Sequence, residues 1–410
     1  MASHVFIVDR RINLLLFPII TVLIITTSSA QIDISKLQEV EIQRHLELIN
    51  KPAVKSIKSP DGDIIDCVHI TNQPAFDHPL LKNHTIQLRP SFLQEDPSSK
   101  TDGIAQVWHR NGECPENTIP IRRTTIEDLL RWGSIKNYGK KDSNYSIPGS
   151  RFHPTQNIWA KREHAMLVVE NEYYQGSEAW ITVWKPYVEQ YNELSTGQMW
   201  ISSKGSNQQG VNVMEAGWQV NPILYGDGNP RLFVYWTGDG YEKTGCYDLK
   251  CQGFVQISSK TAVGAAFNRY STISGPEYKC IFLIRKDPIS GNWWLLTNNR
   301  QVGYWPNSLF PFLKDLASKA VWGGEINNLR KNGRHTSTCM GSGRFAEDGR
   351  GKAALISRIT VLQRNLKKEP EKGFPFVTDK GCYNLHYNRL DPKLGSHLFF
   401  GGIGQNSNCL

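Results

Sequence analysis

Beyond residue 160 the chain reads as short runs in which apolar and polar positions alternate. Leu232, Val234 and Trp236 share one face of 231–236. The stretch 280–285, then Asp287-Pro288-Ile289-Ser290-Gly291, then 293–297 reads as two strands joined by a hairpin turn. Similar runs lie at 165–169, 179–185, 211–220, 253–258 and 353–362. Many short strands separated by Gly- and Pro-containing turns predict an antiparallel sandwich or barrel. One helix is expected among them, because Leu309, Phe312, Leu313, Leu316, Ala317 and Ala320 fall at helical spacing.

The earlier part reads differently. Ser35 is placed to cap a helix running to about Asn50, with Leu37, Ile42, Leu46 and Leu48 along it. A second helix is expected from Thr124 or Thr125, through Ile126, Leu129, Leu130 and Trp132. Glu127 and Asp128 near its start suit the helix dipole. From Gly139 to Asn157 the sequence is polar, with glycine and two prolines, which is the composition of a linker. The chain therefore divides into residues 1–30, 31–155 and 156–410, an α+β part preceding a mainly β part.

Residues 1–30 read as a signal peptide. Arg10 and Arg11 precede Leu14 to Ile25, which is apolar except for Pro18 and Thr21. Ser28 and Ala30 fit cleavage before Gln31. A bilayer span needs about twenty apolar residues, so no membrane attachment is expected after cleavage. Eight cysteines agree with a secreted, oxidised protein. Cys67 and Cys114 lie together in the N-terminal part, Cys246 and Cys251 suit a short loop, and Cys382 and Cys409 bracket the C-terminal tail. Elimination leaves Cys280 to Cys339. Asn83 and Asn144 open glycosylation sequons.

With 410 residues, 39% of them hydrophobic, the chain can bury a large core, and its composition excludes collagen-like and disordered classes. The net charge of +9 resides after residue 150, since residues 1–30 and 31–150 carry +1 and −1. The Lys and Arg are scattered, so a solvated basic surface explains them better than a nucleic-acid partner.

Several chemistries lack their signatures. There is no Gly-x-Ser-x-Gly elbow, no His-Glu-x-x-His, no Walker loop and no dinucleotide fingerprint. Asp239, in Thr-Gly-Asp-Gly, lacks the Ser or Thr expected after an aspartic-protease Asp. No second close Cys or Cys/His pair accompanies Cys246, so neither metal nor cofactor is expected. What remains is two glutamates in apolar, glycine-rich strands: Glu215 in 211–220 and Glu325 in Val321-Trp322-Gly323-Gly324-Glu325-Ile326. Strand parity puts Val213, Glu215, Gly217 and Gln219 on one face, making Gln219 a candidate oxyanion donor. Trp218 and Trp322 are candidate substrate contacts, although core positions suit such residues better.

Longer stretches carry a resemblance. Glu215 to Val220, Leu224-Tyr225-Gly226-Asp227, Tyr235-Trp236-Thr237, Thr244 through Gln256, Trp322 to Glu325 and Met340 to Gly343 resemble the neprosin family of plant secreted glutamic endopeptidases. Phe76 to His84, Gly112 to Pro115 and Ile119 to Arg123 resemble its activation propeptide. The resemblance implies a two-sheet, jelly-roll-like β-sandwich with catalytic Glu215 and Glu325, and bridges Cys246–Cys251 and Cys382–Cys409. It implies cleavage of proteins or peptides after proline at acid pH, an inhibitory propeptide at 31–155, and secretion to the apoplast or cell wall. Cys280 and Cys339 have no counterpart in the family pattern. The same two-carboxylate layout is also compatible with a glycoside hydrolase, or with a non-catalytic β-sandwich that binds cell-wall carbohydrate.

Overall fold

A computed structural model describes residues 39–93, 105–141, 161–205 and 210–409. The expected signal peptide, Asn144 and most of the expected linker lie outside these residues. Residues 1–48 group as a unit of their own, whose described residues lie in a helix at 39–49, α1. Residues 49–410 form the second unit.

That unit opens with a three-stranded antiparallel sheet of β1 (Ala53–Lys58), β2 (Ile64–His69) and β3 (Thr118–Arg122), in the order β1-β2-β3. Cys67, on β2, is bridged to Cys114. Helix α2 (Ile126–Trp132) follows as expected. Thr125 accepts from the Asp128 N–H, and Asp128 accepts in return from the Thr125 N–H, a reciprocal cap that satisfies two otherwise orphaned donors.

The rest is two packed antiparallel sheets, so the fold is mainly β, as expected. One comprises β4 (Lys161–Tyr174), β6 (Ser195–Lys204), β7 (Val211–Val220), β8 (Arg231–Thr237), β13 (Ala317–Asn328) and β17 (Phe374–Val377), in the order β17-β4-β13-β6-β7-β8. The other follows β14 (Met340–Gly341), β19 (Gly395–Gly402), β15 (Ala354–Gln363), β5 (Gly176–Thr182), β10 (Lys279–Lys286), β11 (Trp293–Thr297), β12 (Arg300–Trp305) and β9 (Val255–Gln256). In it β16 (Leu366–Lys368) pairs with β15 and β18 (Asn384–Asp391) with β19. Alternation produces the core between them. Met214, Ala216, Trp218 and Val220 of β7, and Ala320, Trp322 and Ile326 of β13, pack against Ile181, Phe282 and Phe400 of the second sheet.

Two expectations are corrected. The helix at 309–320 does not form: a short turn at Asn307–Leu309 leads into β13 at Ala317. Pro311 has no N–H to give to a helix. Asn212 takes the Phe312 and Leu313 N–H groups at 2.6 and 3.0 Å, and Trp293 donates to the Leu313 carbonyl. Cys280 and Cys339 are free thiols, in contrast to the bridge expected by elimination. Cys280 is buried on β10, with burial pushing its thiol up. The other three pairs are bridged as expected.

Candidate active site

The alternation that sends Trp218 and Trp322 into the core sends Glu215 and Glu325 to the opposite face of the six-stranded sheet. The Trp218 indole donates to the Thr182 carbonyl and the Trp322 indole to Ser177 Oγ. Both rings are therefore core residues rather than substrate contacts. Gln219 shares the outer face, but its amide donates to the Tyr225 hydroxyl at 2.7 Å and accepts from Asn221, so it is already engaged away from the glutamates.

Both glutamates are fully buried. The polar segment that follows α2 covers them. Its Gly139 carbonyl accepts from the Tyr247 N–H at 2.8 Å, and the Lys141 N–H donates to the Tyr235 hydroxyl at 3.1 Å. The Lys141 side chain then lies between the two carboxylates. Its Nζ is 2.6 Å from Glu215 Oε2 and 3.7 Å from Glu325 Oε1. The rings of Tyr235, Tyr241 and Tyr247 surround the same nitrogen at 5.1, 5.8 and 5.7 Å, within the range of cation–π attraction.

The two carboxylates differ in their other partners. Glu325 meets Arg162 Nη1 at 2.5 Å and His164 Nε2 at 3.3 Å, both on the neighbouring β4. Glu215 accepts from the Tyr241 hydroxyl at 3.0 Å. Burial pushes the Glu325 carboxyl up, but Lys141, Arg162 and His164 together outweigh it and hold it well below the ordinary carboxylate range. Burial also raises Glu215. Lys141 and Tyr241 oppose that, the Glu325 charge adds to it, and the result is a carboxyl above the ordinary range. Two carboxyls whose surroundings push them apart in this way are suited to opposite proton-transfer roles.

The loop that carries the tyrosines is stiffly held. Asp239 accepts from Thr237, Thr244 and the backbone of Lys243 and Thr244. It is a loop cap, which accounts for the Thr-Gly-Asp-Gly motif without any catalytic role. Gly245 has φ +86°, and a Cβ there would fall 1.6 Å from the Trp236 carbonyl oxygen, so only glycine fits. The Cys246–Cys251 bridge closes the loop. Tyr241 itself sits at φ +71°, a costly conformation for an aromatic residue. There its hydroxyl meets Glu215.

A second ionic cluster ties the N-terminal sheet to the sandwich. Arg231 of β8 contacts Asp63 at 2.5 Å and Asp227 at 2.6 Å. Arg122 of β3 contacts Asp63 at 2.7 Å and Asp128 at 2.9 Å. Both arginines are buried, a placement that requires such partners.

Reading the sequence did not find Lys141, Arg162, His164 or Tyr241. Arg162 and His164 carry the one available signal, two polar residues at strand spacing just before an apolar run. Lys141 belongs to a stretch whose composition says only linker.

Comparison with known proteins bears on this site. The model of the Neprosin family matches residues 191–403, and that of the Neprosin activation peptide matches residues 56–168. Among solved structures, the chain is similar to a Scytalido-glutamic peptidase bound to a peptide-based transition-state analogue. Identity is 8%, the match covers 60% of this chain and 98% of that one, and the TM-score is 0.31. It is similar at the same identity and coverage, with TM-score 0.28, to SCP-B, a member of the Eqolisin family of peptidases in complex with the tripeptide Ala-Ile-His.

Proposed function

The chain belongs to the neprosin family, and from that premise we propose that it is the zymogen of a secreted, acid-active glutamic endopeptidase that cleaves after proline. The observation that carries the reading is the juxtaposition of Glu215 and Glu325, which come from non-adjacent strands yet contact a single ammonium nitrogen.

In this reading Glu325, kept ionised by Arg162 and His164, is the general base. It takes a proton from a water whose oxygen attacks the scissile carbonyl carbon. Glu215, which holds its proton more tightly, is the general acid and passes that proton to the leaving nitrogen as the C–N bond breaks. The products are a carboxylic acid and an amine, and no covalent enzyme intermediate is required. The pair titrates as a unit, so the roles belong to the dyad's preferred microstate. Once Lys141 has left, the Tyr235, Tyr241 and Tyr247 rings present flat apolar faces beside the carboxylates, which supports a pyrrolidine ring at the residue before the cut.

Lys141 is the inhibitory residue of the propeptide. It lies between the two carboxylates, 2.6 Å from Glu215 and 3.7 Å from Glu325, and fills the space a substrate needs. Maturation cuts the chain between 142 and 160, where Pro148 and Pro154 are candidate self-processing points. β4 must stay with the enzyme, because it lies between β17 and β13 and supplies Arg162 and His164. Three disulfides, an exposed Asn83 in its sequon and the signal-like N-terminus support secretion to the apoplast or cell wall.

The test is full-length protein secreted from a eukaryotic host, incubated between about pH 2.5 and 7 with a proteome-derived peptide library. Cuts after proline confined to acid pH, a mature N-terminus within 142–160, and loss of both in Glu215→Gln and Glu325→Gln are expected. Peptides left intact at every pH would refute the peptidase reading.

A further inference from the structure

The outer face of the six-stranded sheet can be read as a grid from its register. One row runs Val321, Trp200, Glu215, Tyr235 across β13, β6, β7 and β8. The next runs Gly323, Gln198, Gly217, Phe233, and the next Glu325, Thr196, Gln219, Arg231. Glu215 and Glu325 are thus two strands and four residues apart. Gln198 occupies the midpoint of the diagonal that joins them. Each glutamate is its diagonal neighbour on the same face, a relation that spans about 7–8 Å between Cα atoms.

Gln198 is unusual in two further ways. Its cross-strand neighbours are both glycine, so no side chain flanks it within its row. A Cβ on Gly217 would stand 2.6 Å from the Gln198 Cβ, which only glycine avoids. And although Gln198 is fully buried, neither its amide nitrogen nor its amide oxygen has a hydrogen-bond partner among the described residues. A buried primary amide left unsatisfied is costly, and native proteins keep few of them. Met199 and Ile201, on either side of Trp200 and of opposite parity, are in the core, so this orphan amide lies on the face of the glutamates.

We propose that Gln198 is a third catalytic residue, whose amide N–H holds the carbonyl oxygen of the scissile peptide as it becomes an oxyanion. This inference rests on the glutamic-peptidase reading and resolves a difficulty within it. Glu215 holds one proton, and a proton committed to the oxyanion cannot at the same time go to the leaving nitrogen. With Gln198 as a separate donor, the steps balance. Glu325 takes one proton from water, the water oxygen bonds to the carbonyl carbon, and the carbonyl π pair moves onto the oxygen held by Gln198. That pair then returns to re-form C=O, the C–N bond breaks, and the nitrogen takes the proton from Glu215. A preorganised donor of this kind strengthens its bond only as charge develops, so its contribution falls on kcat. The orphan amide is then a cost to stability retained for catalysis.

The test replaces Gln198 with Met, which is of similar length and has no donor, in the full chain. After acid processing, kcat is expected to fall about 10²–10³-fold with KM within about threefold of wild type. Affinity for a phosphinic peptide mimicking the tetrahedral intermediate is expected to fall by the same factor as kcat/KM. Before processing, the thermal midpoint of the Gln198→Met zymogen is expected to rise, because an apolar side chain leaves no unmet amide buried. Three results would overturn the proposal: kcat within threefold of wild type, a rise in KM that accounts for the whole loss, or a lowered zymogen midpoint, which would mark a structural amide. Full activity in Gln198→Met beside inactive Glu215→Gln and Glu325→Gln would sink this inference alone. No cleavage by the wild type would sink it together with the peptidase reading.

Discussion

Replacing Lys141 with Met tests the inhibitory contact most directly. The ammonium stands 2.6 Å from Glu215 and 3.7 Å from Glu325, with all three groups essentially out of water. At an effective dielectric of about 20 these contacts correspond to about 6 and 4 kcal/mol of attraction before desolvation is subtracted. Desolvation offsets a large part of this. Removing one partner of a buried pair nevertheless costs about 3–5 kcal/mol, because the remaining charges stay buried and uncompensated. The covering segment should therefore open about 10²- to 4 × 10³-fold more often at neutral pH, a decade for each 1.4 kcal/mol. The Tyr247 N–H, which bonds the Gly139 carbonyl, reports that opening by hydrogen exchange in intact, unprocessed chains. The pH dependence is sharper still. Docking places Lys141 against both carboxyls, yet burial keeps Glu215 above the ordinary range while Glu325 is held well below it. Through Glu325, docking is strongest above the open-state carboxyl range and weakens as pH falls through it, and Glu215 acts in the opposite sense. In Lys141→Met, Glu325 loses one cationic partner and keeps Arg162 and His164, and burial raises Glu215 further, so the slope shifts towards acid favouring the covered state. Protection within threefold of wild type at neutral pH, with an unchanged slope, would refute the reasoning.

Three further outcomes follow from the same contacts. Arg162→Met removes a cation that holds Glu325 low, so the acid limb of the kcat/KM profile should move to higher pH; an unmoved limb would remove Glu325 from the role of base. Asp63→Ala removes the carboxylate shared by the buried Arg122 and Arg231 and leaves them Asp128 and Asp227 respectively; it should destabilise the zymogen by about 1.5–3 kcal/mol, checked by thermal unfolding of the full chain at neutral pH. Alkylation of denatured, unreduced protein should add label at Cys280 and Cys339 alone, and an unlabelled chain would restore the bridge between them.

Much of the architecture is legible in the sequence. Strand periodicity is local, and so are the alternation at 231–236, the hairpin at 280–297 and the start of α2 at Thr124 or Thr125, all of which appear as read. The parity that makes Trp218 and Trp322 core also puts Glu215 and Glu325 on the other face, because successive strand residues point to opposite sides. Local pattern failed where distant groups intervened. The 309–320 segment has helical spacing, but Pro311 and the Asn212 side chain decide its backbone. Pairing the last two cysteines by elimination failed because parity of count says nothing about proximity. The site itself required the sheet. Glu215 and Glu325 are 110 positions apart in the sequence, and only the order β13-β6-β7 puts Gln198 between them. The difference between the two carboxylates comes from β4, and the ammonium between them comes from Lys141, on a polar segment without a periodicity to read. Residue type and alternation determined which side chains could do chemistry. Strand order and register, which depend on contacts far apart along the chain, decided which of them meet.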